Sequence, residues 1–183
     1  GKVILKADTV IEELATDKEG KLTFTADLPI GFAYYIKETS PASGFATTDE
    51  IQEFTFEYEG AEKEKVSYAF TFEDEPTVIE ITKTSLTDGK ELEGAKLQVT
   101  DESGKVVDSW TSGKEAHIIK ELVVGQKYTL TETKPADGYV TAESITFTVE
   151  DTAKPQKIEM KDDVTKVEIS KQIFPVRNCQ EQN

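Results

Sequence analysis

An 18-residue pattern occurs twice in this chain with no slip in spacing. The first copy reads Leu28-Pro-Ile-Gly31, then Glu38, Pro41, Gly44 and Phe45; the second reads Leu122-Val-Val-Gly125, then Glu132, Pro135, Gly138 and Tyr139. A chain that repeats a unit at fixed spacing folds as an array of small domains, not as one enzyme body. The 183 residues have room for two such units, each of about 80–90 residues.

A second repeated feature marks the boundaries. The segment from Phe72 through Asp74 and Thr77 to Lys83 resembles the segment from Met160 through Asp162 and Thr165 to Lys171. Each joins the last strand of one unit to the first strand of the next. The expected units are 1–76 and 77–164, with 165–171 as the opening strand of a further unit. The remainder, 172–183, holds the only Cys and the only Arg and has no alternation; it is expected to be a disordered tail or a truncation product. In the second unit Lys83 precedes Leu122 by 39 positions, and the same count back from Leu28 falls upstream of Gly1. The first unit is therefore expected to lack its opening strand, and Gly1 reads as a processing or tag remnant.

Strand signals dominate. Lys21–Thr25, Phe54–Tyr58, Val78–Thr82, Tyr128–Thr131 and Ile145–Val149 alternate apolar with polar residues and favour β-branched or aromatic side chains. Turn residues punctuate them at Glu19-Gly20, Asp88-Gly89, Ser103-Gly104, Ser112-Gly113 and Asp137-Gly138. Thr9–Ala15, the one stretch readable as helix, is short and has no clean apolar stripe. Short strands with frequent turns and one apolar face build an all-β fold of two tandem β-sandwiches.

Charge narrows the function. A net charge of −15 leaves no basic patch for nucleic acid and disfavours an anionic membrane surface. The longest apolar runs fall far short of the roughly 20 residues that a membrane-spanning helix needs. Cys179 stands alone, so no intrachain disulfide can supplement a small core. His117 is the single histidine, which excludes His-rich metal sites and His-based triads; it is expected on a strand surface. Trp110 and the tyrosines read as packing residues. The acidic clusters around Asp74 and Asp162 lack calcium-loop spacing, and no phosphate loop or cofactor motif is present.

Period 2 sets which side chains face inward. Ile79 and Ile81 share a face with Lys83, Tyr128 and Leu130 with Glu132, and Ile158 and Met160 with Asp162. One lysine and two acids thus end three apolar rows that point into the same core. Burying them costs several kcal/mol, about as much as any fold can spare, unless they pair or neutralise. Desolvation favours the uncharged forms of both acid and amine. An uncharged amine beside a protonated carboxyl is a nucleophile facing an electrophile, and a neighbouring Glu can move the protons.

These residues resemble the Cna B-type (SpaA-like, prealbumin-like) repeats of Gram-positive surface adhesins and pilins. The matching elements are the strand ending in Lys83, Gly94-Ala-Lys-Leu97, the segment from Leu122 through Glu132-Thr133 and Pro135 to Gly138-Tyr139, and the acidic end strand. The resemblance implies immunoglobulin-like or transthyretin-like sandwiches, many of them carrying an autocatalytic isopeptide bond between lysine and Asn or Asp, assisted by Glu. It makes Lys83 the amine, Glu132 the proton shuttle and Asp162 the acceptor, with Asp163 as the alternative should a bulge shift the register. In the first unit Glu38 and Asp74 are the equivalent acids, with no equivalent lysine; Lys2 and Lys6 fall in its second strand. Lys171 aligns with Lys83, so strand 165–171 of one molecule is a candidate donor to the open edge of unit one in another, a head-to-tail exchange.

The function expected on these grounds is a structural stalk: spacer repeats of a cell-wall-attached, extracellular adhesin or pilin, partnered by neighbouring domains of the same protein. It is not an enzyme beyond a single self-cross-linking turnover, and it needs no cofactor or metal. The alternative is an adhesive module that grips a host protein or glycan directly.

Overall fold

The computed structural model describes residues 6–26, 28–55, 57, 60 and 68–171. Lys2, Cys179 and the rest of the tail from 172 lie outside them. The described residues contain strands and turns and no helix. The chain divides into two compact units, one of Gly1–Glu38 with Asp49–Phe72 and one of Thr39–Thr48 with Glu73–Asn183.

The first unit contains β1 (Ala33–Lys37) paired antiparallel with β2 (Ile51–Thr55), Tyr34 opposite Phe54. Alternation turns Tyr34 and Ile36 to one side, where Tyr34, Phe54, Tyr68 and Phe70 form a chain of ring contacts at centroid separations of 4.8–6.2 Å. Lys21–Thr25, expected as a strand, joins no ladder among the described residues. Its C-terminal end is held instead by Glu12, whose carboxylate accepts from the Thr25 N–H at 2.9 Å and the Ala26 N–H at 3.1 Å. Phe70–Asp74 likewise carries the alternation of a strand without ladder bonds, and Lys6 is exposed outside any strand.

The second unit is a two-layer sandwich. It is built from β3 (Val78–Ser85), β4 (Lys96–Asp101), β5 (Val106–Thr111), β6 (His117–Lys120), β7 (Lys127–Lys134), β8 (Ile145–Thr148) and β9 (Gln156–Asp162). One layer has the order β6-β3-β9 and the other β5-β4-β7-β8. All neighbours are antiparallel except β3 and β9, the first and last strands, which run parallel with Lys83 opposite Met160 and Ser85 opposite Asp162. The inward rows of both layers, Ile79 and Ile81 against Leu97, Val99, Leu130 and Phe147, close one hydrophobic core. Each fully buried aliphatic side chain contributes about 1.5–3 kcal/mol by leaving water. β7 breaks register with β4 at Lys96/Leu97 by a bulge, which leaves Leu97 opposite Glu132 at the end of the core row.

Candidate functional site

The apolar rows end in charge. Lys83 on β3, Glu132 on β7 and Asp162 on β9 are 3%, 4% and 1% exposed, as buried as Ile81, Leu130 and Met160 two residues before them. The parallel pairing of β3 with β9 sets Lys83 one pair diagonal to Asp162, and its Nζ reaches Asp162 Oδ1. Glu132 enters from the opposite layer, with Oε1 2.9 Å from Lys83 Nζ. One ammonium-bearing side chain therefore bridges two carboxyls at the seam of the sandwich.

The two acids are held differently. Glu132 Oε2 accepts the Ala142 N–H at 2.8 Å, which anchors the carboxyl to the segment before β8. Oε1 is left facing the lysine at an ion-pair distance but off the angle of a hydrogen bond. Asp162 Oδ2 is buried and has no hydrogen-bond partner among the described residues. Burial pushes the Asp162 carboxyl above the 3.8 of an exposed aspartate; the Lys83 ammonium opposes that shift and the charge of Glu132 adds to it. A dry cluster of one cation and two acids is most stable with one acid protonated, because two buried carboxylates share a single counter-charge. Such a cluster can pass protons among its members, and it holds an amine nitrogen against a carboxyl oxygen whose carbon is an electrophile once protonated.

Asp163, the alternative acceptor, turns the other way. Its carboxylate lies 3.1 Å from Lys166 at the surface and accepts its neighbour's N–H, contacts that hold it below the usual value. Glu38 and Asp74 are both half-buried; Glu38 belongs to the first unit and Asp74 to the second. Lys171 is exposed.

The family model of the SpaA prealbumin-like fold domain matches residues 2–69 and again 77–164. The chain belongs to that family. Both SpaA-like segments cover one copy of the repeated motif, and all three converging side chains lie in the second. Among solved structures, the Bacillus anthracis TIE protein is similar at 25% identity and a TM-score of 0.53, covering 81% of this chain. The chain spans only 28% of that protein's length. The shaft pilin SpaA of Lactobacillus rhamnosus GG is similar at 16% identity and a TM-score of 0.45, covering 85% of this chain and 68% of the pilin. No curated protein matches the chain.

Two features of the SpaA-like second unit escape a reading by periodicity. The anchor on Glu132 is a backbone amide, Ala142, which leaves no mark in the sequence. The other is the setting of His117, which lies partly exposed on its strand: its ring stacks on Trp110 at 4.0 Å, and Nε2 lies 2.7 Å from Asp108 Oδ2. β5 and β6 are edge strands of different layers, so only the closed sandwich brings Trp110 and His117 together.

Proposed function

We propose that the second unit is a load-bearing spacer domain of a cell-surface adhesin or pilin, locked by an amide between Lys83 and Asp162. The observation that carries this reading is the burial of Lys83 against Asp162 and Glu132 across the two layers. In the starting state Lys83 is an ammonium, Glu132 a carboxylate and Asp162 a carboxylic acid. Lys83 passes one proton to Glu132 Oε1, and the freed amine attacks Asp162 Cγ. Glu132 lends its proton to the departing Asp162 hydroxyl and takes one back from nitrogen as the C–O bond breaks. The products are a neutral amide, one water and a protonated Glu132, so no net charge remains buried.

The placement suits a stalk. The bond would join the first strand to the last, closing a loop of 79 residues. Tension entering at Thr77 and leaving near Val164 would pass through the amide and bypass the sandwich between. SpaA-like relatives include structures named as a shaft pilin and as a pilus backbone protein, and an extracellular, cell-wall-attached setting with neighbouring domains of the same protein as partners follows from that role. Direct adhesion to a host protein or glycan would call for an exposed aromatic patch; in this unit Tyr128 and Phe147 are buried and Trp110 is stacked against His117.

Intact mass tests the chemistry. The chain is expected to lack one water, about 18 Da, mapped to Lys83 joined to Asp162. With Asp162→Asn the leaving group is ammonia, and the deficit shrinks to about 17 Da. A full, unshortened mass in the native chain overturns the cross-link. Single-molecule pulling tests the stalk role: closing 79 residues removes about 27 nm from the extension of the second unit, at roughly 3.4 Å per residue. An unfolding step of that length in the native chain would show that load runs through the fold.

A further inference from the structure

The two copies of the Gly-aromatic turn are built alike but finished differently. In the first, the Phe45 N–H donates to Ala42 O, the Ala46 N–H to Glu75 O and the Thr77 N–H to Gly44 O, at 2.9–3.1 Å. In the second, Tyr139 to Ala136, Val140 to Asp163 and Thr165 to Gly138 repeat the pattern at 2.9–3.1 Å. Both pair their aromatic residue with the linker, Phe45 with Pro76 and Tyr139 with Val164.

Among the described residues only the first is occupied. There the Glu121 N–H donates to Thr77 O, and the Thr77 hydroxyl donates to Leu122 O at 2.7 Å. Glu121 takes a left-handed φ of 62° to make that turn. Gly44 sits so close that an added Cβ would lie 2.6 Å from the Glu121 carbonyl oxygen. Glycine is demanded there twice, by contact and by its φ of +91°. Gly138 has the same backbone, φ +87°, with nothing within 4 Å. The strand leaving it is equally unfinished. Val167 and Ile169 are 78% and 91% exposed, whereas Ile79 and Ile81, at the same positions of the Thr77 strand, are 1% and 2% exposed.

We infer that Gly138, Val164 and Thr165 are a preformed socket for a further repeat of this same fold. The partner is a unit whose first strand is 165–171 and whose turn before Leu-x-x-Gly seats on Gly138 as Glu121-Leu122 seats on Gly44. Val167 and Ile169 would enter that unit's core, and the Thr165 hydroxyl would be taken up by the carbonyl of the turn's leucine. The glycine and threonine are then a joint that ties each repeat's motif to the next repeat's turn, and neighbours alone define it. The inference rests on the spacer reading for the idea of serial repeats, but not on the cross-link.

The test extends the chain by one repeat, residues 1–164 followed directly by a second copy of 77–164, beside the 183-residue chain. Hydrogen exchange at the added turn's glutamate amide is expected to be as slow as at Glu121. Gly138→Ala should speed it at least about 10-fold, while shifting the melting of the 183-residue chain by only a few degrees. In the 183-residue chain itself, Gly44→Ala should speed exchange at the Glu121 amide by a similar factor. Exchange at either amide that ignores its glycine overturns the joint, as does light scattering that shows strand 165–171 captured by a second molecule instead. Intact mass separates the two readings: a water lost from each copy of 77–164 without protection of the added turn defeats the joint and leaves the spacer reading standing.

Discussion

Replacing Glu132 by alanine is expected to leave the intact mass unshortened and to lower the melting temperature of the second unit by about 16–40 °C. The proposed amide would close a loop of 79 residues, and by analogy with a disulfide of that span its loss would cost about 4–5 kcal/mol. In a domain of under 100 residues each kcal/mol moves the midpoint by about 4–8 °C. Glu132 itself forms no bond in the product, so a structural side chain of its size would not change the mass. That is what separates a proton shuttle from a packing residue. Calorimetry beside intact-mass measurement on the one variant checks both; an alanine variant that still lacks one water would remove Glu132 from the chemistry. Ala142 gives the companion control, because its amide aims the carboxyl without touching the reacting atoms.

The second large effect is expected from Lys83→Met, and its size depends on pH. Removing the amine abolishes the cross-link and leaves Asp162 and Glu132 in a dry space with no cation. Breaking a buried pair in this way costs about 3–5 kcal/mol, in addition to the lost loop closure. Asp162 is already raised above 3.8 by burial, and the lysine was opposing that rise; without it the carboxyl moves further up. A folded-state value above the unfolded one means that the folded protein holds its proton more tightly. The stability from protonated Asp162 is therefore complete below about pH 4 and is lost as pH rises through the raised value. The gap between variant and native protein should be widest near pH 7 and narrow towards pH 4. The proposed amide would have no proton to exchange at this position and would contribute no such slope. Urea midpoints of both proteins across that range provide the check, and a constant gap would mean that Asp162 is not desolvated as its surroundings require.

Period-2 alternation was enough to align Lys83, Glu132 and Asp162 with the core rows, because a strand has only two faces and the isoleucines declare which one is inward. The same logic put Asp163 on the other face, where it meets Lys166. Alternation was not enough in the first unit. Lys21–Thr25 and Phe70–Asp74 carry the pattern of strands yet join no ladder among the described residues, since a ladder needs a partner backbone and a pattern does not supply one. His117 lies on a partly exposed edge strand, as expected, but alternation gave no sign that its ring would stack on Trp110.

The repeat, the all-β class, the inward phase of the three ionisable residues and the family are legible in the unfolded chain. Spacing and alternation are local properties, and each residue carries them wherever it goes. That the three residues meet is a property of the fold. Lys83 and Asp162 become neighbours because β3 and β9, 79 positions apart at those residues, lie parallel in one layer. Glu132 joins them because the other layer closes over that pair. The Ala142 amide that holds Glu132, and the carbonyl of Glu121 that leaves room only for glycine at position 44, are backbone groups common to every residue. Their positions are properties of the folded chain, and no side-chain pattern records them.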